Sequence, residues 1–221
     1  MVLVKKALSN AFSVQFNGVV KSRSTFTAST TADYAEFFEW MDGNPNNEER
    51  VGYFVTLDGD RVRIANPNDE YILGVVSGEP FVLGNGDCDT WNEMFLHDEF
   101  RRTIYEPAPL FETFESDSSN KPLVRKQVFD KDGNPIFKGL RPMVNPDYDP
   151  GQPYLSRSER QEWSPIGMLG VLAVRHDGSL KKNGYATITD GGIATSCEIN
   201  TKNSYRVIKE ITKNVAEIIF R

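Results

Sequence analysis

Short runs of β-branched and aromatic residues, each closed by a turn bearing glycine or asparagine, recur along this chain and leave little room for long helices. Val51 to Leu57 ends at Asp58-Gly59-Asp60 and resumes at Arg61 to Ala65. Tyr71 to Ser77, Ile166 to Arg175 and Tyr185 to Thr189 repeat the pattern, with turns at His176-Asp177-Gly178 and Gly191-Gly192. Such turn residues supply the positive φ that tight hairpins require, so the pattern predicts short, mostly antiparallel strands. At the N-terminus, Phe12, Val14 and Phe16 alternate, Asn17-Gly18 turns, and Val19-Val20 follows. That strand, turn, strand segment is too short for a domain and reads as the end of a β stalk.

Proline sharpens the constraint. Residues 107–165 hold nine of the twelve prolines, together with the acidic, Ser-rich stretch Glu115 to Asn120 and the turn Lys131 to Pro135. Proline breaks helices and confines strands to sheet edges, so this stretch predicts a long hairpin excursion with an extended return. A short helix is expected around Trp91 to Phe100. The C-terminal stretch Tyr205 to Arg221 fits an apolar helical face and also a hairpin about Lys213-Asn214; its β-branched richness favours the hairpin. The sum is a mainly β domain, barrel- or sandwich-like, with at most short helices. The domain reading is 1–32 as the end of a stem with 33–221 as the folded domain.

Composition narrows the function classes. With 25 Lys+Arg against 31 Asp+Glu the net charge is −6, and no basic stripe exists to replace counterions on phosphate, so neither nucleic acid nor an anionic membrane is an expected partner. No run approaches the length of a membrane-spanning helix, and Met1 to Ala11 lacks an apolar signal core. A hydrophobic content of 39%, with 14 Phe, is enough to bury a core. Cys88 and Cys197 lack any CxxC or Cys-His companion, so two unpaired thiols and no metal site are expected. His97 and His176 have no matching nucleophile signature and read as surface or turn residues.

Chemistry concentrates in Ser29 to Trp40, where hydroxyls and carboxylates stand beside aromatics, followed by Asp42-Gly43-Asn44-Pro45. Asp33-x-x-Glu36 reads as a capping box opening a short helix, with Phe37, Trp40 and Met41 on its core face. The same spacing serves catalysis only where the chain is helical or kinked, because on a strand Asp33 and Glu36 point to opposite sides. Two carboxylates meeting beside aromatic groups would divide into an acid and a base. The nearest electrophile is the chain itself at Ser29, Thr30, Thr31 and Ala32, where a held peptide bond gains an effective molarity of roughly 10⁵–10⁸ M.

Asp33-Tyr34-Ala35-Glu36-Phe37-Phe38-Glu39-Trp40, Asp42-Gly43-Asn44-Pro45, Arg50 to Gly59, Ile72-Leu73-Gly74-Val75-Val76-Ser77 and the closing Gly-rich β segment resemble, in order and wording, a known family. It is the autoproteolytic intramolecular-chaperone domain, classed with glutamic peptidases, at the C-terminus of Bacillus phage tailspikes and neck appendage proteins. The resemblance runs from about residue 30 to the end. It implies a homotrimer that assembles an upstream β-helical stem of the same chain, made in the host cytoplasm during virion assembly, and then cuts itself off near its own N-terminus. It assigns Glu36 and Asp33 as catalytic and Ser29, Thr30, Thr31 and Ala32 as the cleavage region. No cofactor is implied for cleavage, and ATP is implied for release in a neck appendage relative. Gly84-Asn85-Gly86 and Gly191-Gly192 lack phosphate-loop spacing and read as turns, so no nucleotide residues are named. Related domains cut after a Ser that precedes an Asp; here Ala32 precedes Asp33, which leaves open a cut at another bond with Ser29, Thr30 or Thr31 supplying the hydroxyl, a change at position 32 that blocks cutting, or a domain that has lost activity. Water and hydroxyl nucleophiles both stay open. The rival readings are a non-catalytic trimerisation or receptor-binding tip and a carbohydrate-active tail domain with carboxylates in an aromatic groove.

Overall fold

The turn-punctuated runs become strands. The computed structural model describes residues 3–6, 9–14, 20–22, 32–86, 94–114, 124–199 and 201–221. In chain order the strands are β1 (Leu3–Lys6), β2 (Ser9–Val14), β3 (Val20–Ser22), β4 (Asp33–Glu39), β5 (Phe54–Asp58), β6 (Arg61–Ile64), β7 (Gly74–Val76), β8 (Val82–Gly84) and β9 (Tyr105–Pro109). They continue with β10 (Phe111–Phe114), β11 (Val124–Gln127), β12 (Phe137–Pro142), β13 (Trp163–Arg175), β14 (Tyr185–Ile188), β15 (Ala194–Cys197), β16 (Tyr205–Thr212) and β17 (Val215–Phe220). Among the described residues the helical element is a 3-10 turn, Arg157–Glu159.

The chain divides into two units, Met1–Gly86 with Arg157–Arg221, and Asp87–Ser156. The first contains the antiparallel meander β1-β2-β3 and a ten-stranded sheet. That sheet runs β15-β14-β16-β17-β13-β7-β5-β6, with β4 beside β13 and β8 beside β4. Its pairs are antiparallel except β4 with β8. The long β13 is the hub: it carries β17, β7 and β4. The sheet curls, because the Phe54 N–H donates to Gly192 O at 2.8 Å and so brings the β14–β15 turn back onto β5. The expected mainly β, barrel-like class is therefore realised as one curled sheet.

Both faces of the central strands are covered, as adjacent residues show. Phe54 and Val75 belong to a core with Leu172, Val174, Val207, Ile218 and Phe220. Their neighbours Val55 and Val76 belong to a second core with Trp40, Val62 and Ile166. Successive side chains on a strand point to opposite faces, so each strand ties two cores together, and each large apolar side chain fully buried contributes about 1.5–3 kcal/mol. The terminal hairpin forms as expected, β16 pairing β17 around Lys213-Asn214.

In the second unit β9 pairs β12 and β10 pairs β11, a hairpin within a hairpin. Among the described residues each of these strands has one partner, so Pro107, Pro109 and Pro142 lie on edges where a missing N–H is tolerated. This is the expected excursion.

Three expectations are corrected. Residues 94–100 form no helix: Phe95 and His97 make isolated bridges to Val144 and Thr103, while Trp91 lies outside the described residues. Asp33-x-x-Glu36 caps no helix and is instead the start of β4. The physical reason is period: Asp33, Ala35 and Phe37 are buried and alternate with the more open Tyr34, Glu36 and Phe38, and pairing with β13 and β8 overrides a local helix signal. Met41, expected on a core face, is 52% exposed because the chain turns just after Trp40. The turn Asn17-Gly18, Cys88 and the stretch Glu115 to Asn120 lie outside the described residues.

Candidate functional site

Because β4 is a strand, Asp33 and Glu36 face opposite ways and this chain does not bring them together. Asp33 is buried, 6% exposed, against Gly167, where a Cβ would lie 3.2 Å from its Oδ2. Among the described residues that Oδ2 has no hydrogen-bond partner. An unmatched buried carboxylate oxygen is costly, and such an atom is an acceptor waiting for a donor. Asp33 also borders a cleft of about 630 Å³ with Ala32, Ser77, Glu79, Val171 and Glu217.

On the other face, Tyr34 and Glu36 lie two residues apart, and the Tyr34 hydroxyl donates to Glu36 Oε1. This bond and the nearby negative charge, together with partial burial, push the Tyr34 phenol above its ordinary range. Glu36 stands opposite Gly84 in the parallel pair of β4 with β8. A Cβ there would lie 2.9 Å from Tyr34 Oη and 3.1 Å from Glu36 Cγ, so glycine leaves room for the pair. Gly84 thus ends a strand beside a candidate catalytic residue, where sequence reasoning placed only a turn. Asn85 next to it bends the chain at φ 50° and donates from Nδ2 to Phe37 O at 2.6 Å.

The segment Asp42 to Arg50 braces the end of β4. Arg50 stacks over Trp40, 4.5 Å from its ring centroid, and pairs with Asp42 at 2.7 Å and Glu48 at 2.9 Å. The Arg50 hydrogen bond holds the Asp42 carboxyl below its usual range. Trp40 donates from Nε1 to Ser164 Oγ at 2.9 Å. These acidic residues are engaged with arginine, and they hold the strand rather than line a catalytic dyad.

Of the predicted cleavage region, Ala32 is described and exposed; Ser29, Thr30 and Thr31 lie outside the described residues. The Phe81 N–H donates to Asp33 O at 3.0 Å and the Val171 N–H to Ala32 O at 3.4 Å. The Ala32–Asp33 peptide is thereby held through its carbonyl by β13, and the next peptide, Asp33–Tyr34, by the residue that precedes β8. Sequence reasoning missed Ser77, Glu79, Lys209 and Glu217, which border the same cleft. Lys209 and Glu217 pair at 3.0 Å directly across the terminal hairpin; its register would have found them. His176, read as a surface or turn residue, stands beside the turn Asp177-Gly178 but is buried, 3% exposed. Its Nδ1 accepts from the Gly178 N–H at 3.0 Å, and Asn214 clamps its backbone, which draws the ring inward. Among the described residues Cys197 has no disulfide partner, and burial raises its thiol. Among the described residues no group of three or more His, Cys, Asp or Glu is placed to hold a metal ion.

The preneck appendage protein of Bacillus phage PZA is 36% identical over 198 residues, covering 89% of this chain and 19% of that protein. The chain therefore spans about a fifth of that relative's length. The crystal structure of the pre-mature bacteriophage phi29 gene product 12 superposes with a TM-score of 0.71 at 28% identity, over 96% of this chain and 24% of that one. The C-terminal fragment of the same gene product superposes at 0.60 with 29% identity, over 86% of this chain and all of the fragment. The family model described as Peptidase_G2, IMC autoproteolytic cleavage domain, matches residues 4–217. With that match across nearly its whole length, over strands that frame a pinned peptide bond beside a buried aspartate, the chain belongs to the Peptidase_G2 family of autoproteolytic cleavage domains.

Proposed function

We propose that this domain is the C-terminal intramolecular chaperone of a phage appendage or tailspike. It promotes trimerisation of the stem ahead of it and then releases itself by one hydrolytic cut at Ala32–Asp33. The observation that supports this reading most is the buried Asp33 carboxylate with an unmatched Oδ2, one residue beyond an exposed Ala32 and bordering an open cleft. Asp33 exchanges protons at the cut, and Glu36 is the catalytic glutamate. Along an extended strand, four residues span roughly 13 Å, beyond the reach of a glutamate side chain. Glu36 therefore works on the bond of a neighbouring copy, and the site is completed by trimerisation. ATP acts in release rather than cleavage.

Intact mass after long incubation at neutral pH tests the reading, on the native chain and on Ala32→Ser, each with and without ATP and magnesium. The expected outcome is loss of the N-terminal 32 residues, and retention of full length in Glu36→Gln and Asp33→Asn. Mixing Glu36→Gln with a tagged Asp33→Asn chain restores some cleavage if the site spans copies. Full-length mass in both the native and Ala32→Ser chains would overturn self-cleavage. The second reading, a permanent non-catalytic tip, is favoured by one residue: Ala32 stands where related domains carry Ser.

A further inference from the structure

We propose that the backbone N–H of Val171 is the donor that stabilises the oxyanion when the Ala32–Asp33 bond is cut, and that Gly170 is the residue that admits the carbonyl to it. The proposal rests on the self-cleavage reading above.

Three observations converge on this stretch of β13. Val171 N–H already points at Ala32 O, 3.4 Å away. Gly170 has φ +117°, and a Cβ on it would overlap Ala32 O and lie 3.0 Å from Asp33 Cα and 3.2 Å from Ala32 C. Any side chain there would push the peptide bond away. The pairing of β13 with β4 also slips by one residue: Gly167 faces Ala35 and Leu169 faces Tyr34, which leaves Met168 unpaired and places Gly170 opposite Asp33. Without that bulge the ladder would set Leu169 opposite Asp33. Bulges re-aim strands beside active sites, and this one delivers a glycine to the position opposite Asp33, where a Cβ would overlap Ala32 O.

The length of the contact suits catalysis better than it suits the ground state. An ordinary N–H···O bond is about 2.9–3.0 Å, so this one is stretched while the carbonyl is planar. In the reaction, a water oxygen attacks the Ala32 carbonyl carbon and gives its proton to a carboxylate. The carbonyl π pair moves onto Ala32 O, which gains full negative charge. When the tetrahedral species collapses, the carbon–nitrogen bond breaks, its electron pair goes to the Asp33 nitrogen, and that nitrogen takes up the proton. The products are an Ala32 carboxylate and an Asp33 amine, with one water consumed. A donor that tightens to roughly 2.7–3.1 Å only as charge develops stabilises the transition state and not the substrate. Alternate N–H groups along a strand point to opposite edges, so the Val171 N–H faces β4 and is not spent on β17.

The experiment replaces Val171 by its α-hydroxy acid in the full chain, which turns one amide into an ester and deletes that N–H while keeping the side chain. It is read in whichever of the native or Ala32→Ser chains cleaves, and Gly170→Ala serves as the second variant. Cleavage is expected to fall about 10²–10³-fold in the ester. The spectroscopic readout is the infrared band of a ¹³C,¹⁸O-labelled residue 32 carbonyl, expected at higher frequency in the ester because its donor is gone; a role confined to folding would leave it in place. Undiminished cleavage in the ester, or an unmoved carbonyl band, would overturn the proposal while self-cleavage stands. Cleavage in neither the native nor the Ala32→Ser chain would overturn self-cleavage itself and this inference with it.

Discussion

At Gly192 the chain turns between β14 and β15 with φ +70°, and a Cβ there would lie 2.6 Å from Ile64 Cγ2 and 2.9 Å from Phe54 O. The carbonyl of the same residue accepts the Phe54 N–H that closes the curl of the sheet. Gly192→Ala is expected to cost about 1–3 kcal/mol, from left-handed strain and lost packing together. Urea unfolding measures it, and an unchanged midpoint would show that the closure carries no strain. The turn was legible in the sequence, because Gly191-Gly192 between two strand runs has few other uses. Its second role was not, since nothing local marks the residue against which a turn will pack. The same holds for Asp33 and Glu36: their identity drew notice at once, but which face each takes depends on whether residue 34 continues a helix or a strand.

Among the elements, the hairpin of β16 and β17 shows how far patterning reaches. Val207, Ile208, Ile211, Val215, Ile218 and Ile219 satisfy a helical face and a hairpin alike; β-branching tipped the reading correctly. What docks the hairpin is Tyr205, stacked on Phe220 with ring centroids 4.9 Å apart and tilted against Phe54 at 5.4 Å. Burial drives the Tyr205 phenol far above its ordinary range. An acid whose folded pKa is raised contributes no pH dependence while both states are protonated. Above about pH 10 the unfolded chain ionises and the folded one does not, so stability falls as pH rises from there. Far-UV circular dichroism under moderate urea should show this alkaline loss, and Tyr205→Phe should blunt it. An identical alkaline profile in that variant would place the titration elsewhere. Strand β4 is the opposite case. A capping-box pattern favoured helix locally, and two flanking strands with the ladder hydrogen bonds they offer decided otherwise.

Across the whole molecule the two units differ in what sustains them. The curled sheet has two buried cores, whereas none of the described side chains of the Asp87–Ser156 unit is buried. Within the sheet unit the two stretches that flank this segment in sequence meet, since Arg157 Nη1 donates to Asn85 Oδ1 at 2.9 Å. Replacing residues 87–156 by a short glycine linker should therefore leave the sheet folded, with its urea midpoint nearly unchanged. Loss of cooperative unfolding would show that the excursion supports the core. The sequence alone determined the β class, the turns and the Pro-rich excursion, because these follow from side-chain period and from glycine and proline stereochemistry within a few positions, and residue chemistry marked Ser29 to Glu36 as the candidate segment. Only the tertiary structure decided that Asp33 and Glu36 part to opposite faces, that Gly84 makes room for the Tyr34–Glu36 pair, and that Gly170 and Val171 meet the Ala32 carbonyl. Those contacts join residues tens to more than a hundred positions apart, and the register that joins them is set by the bulge and by burial on both faces of the sheet, which no local pattern encodes.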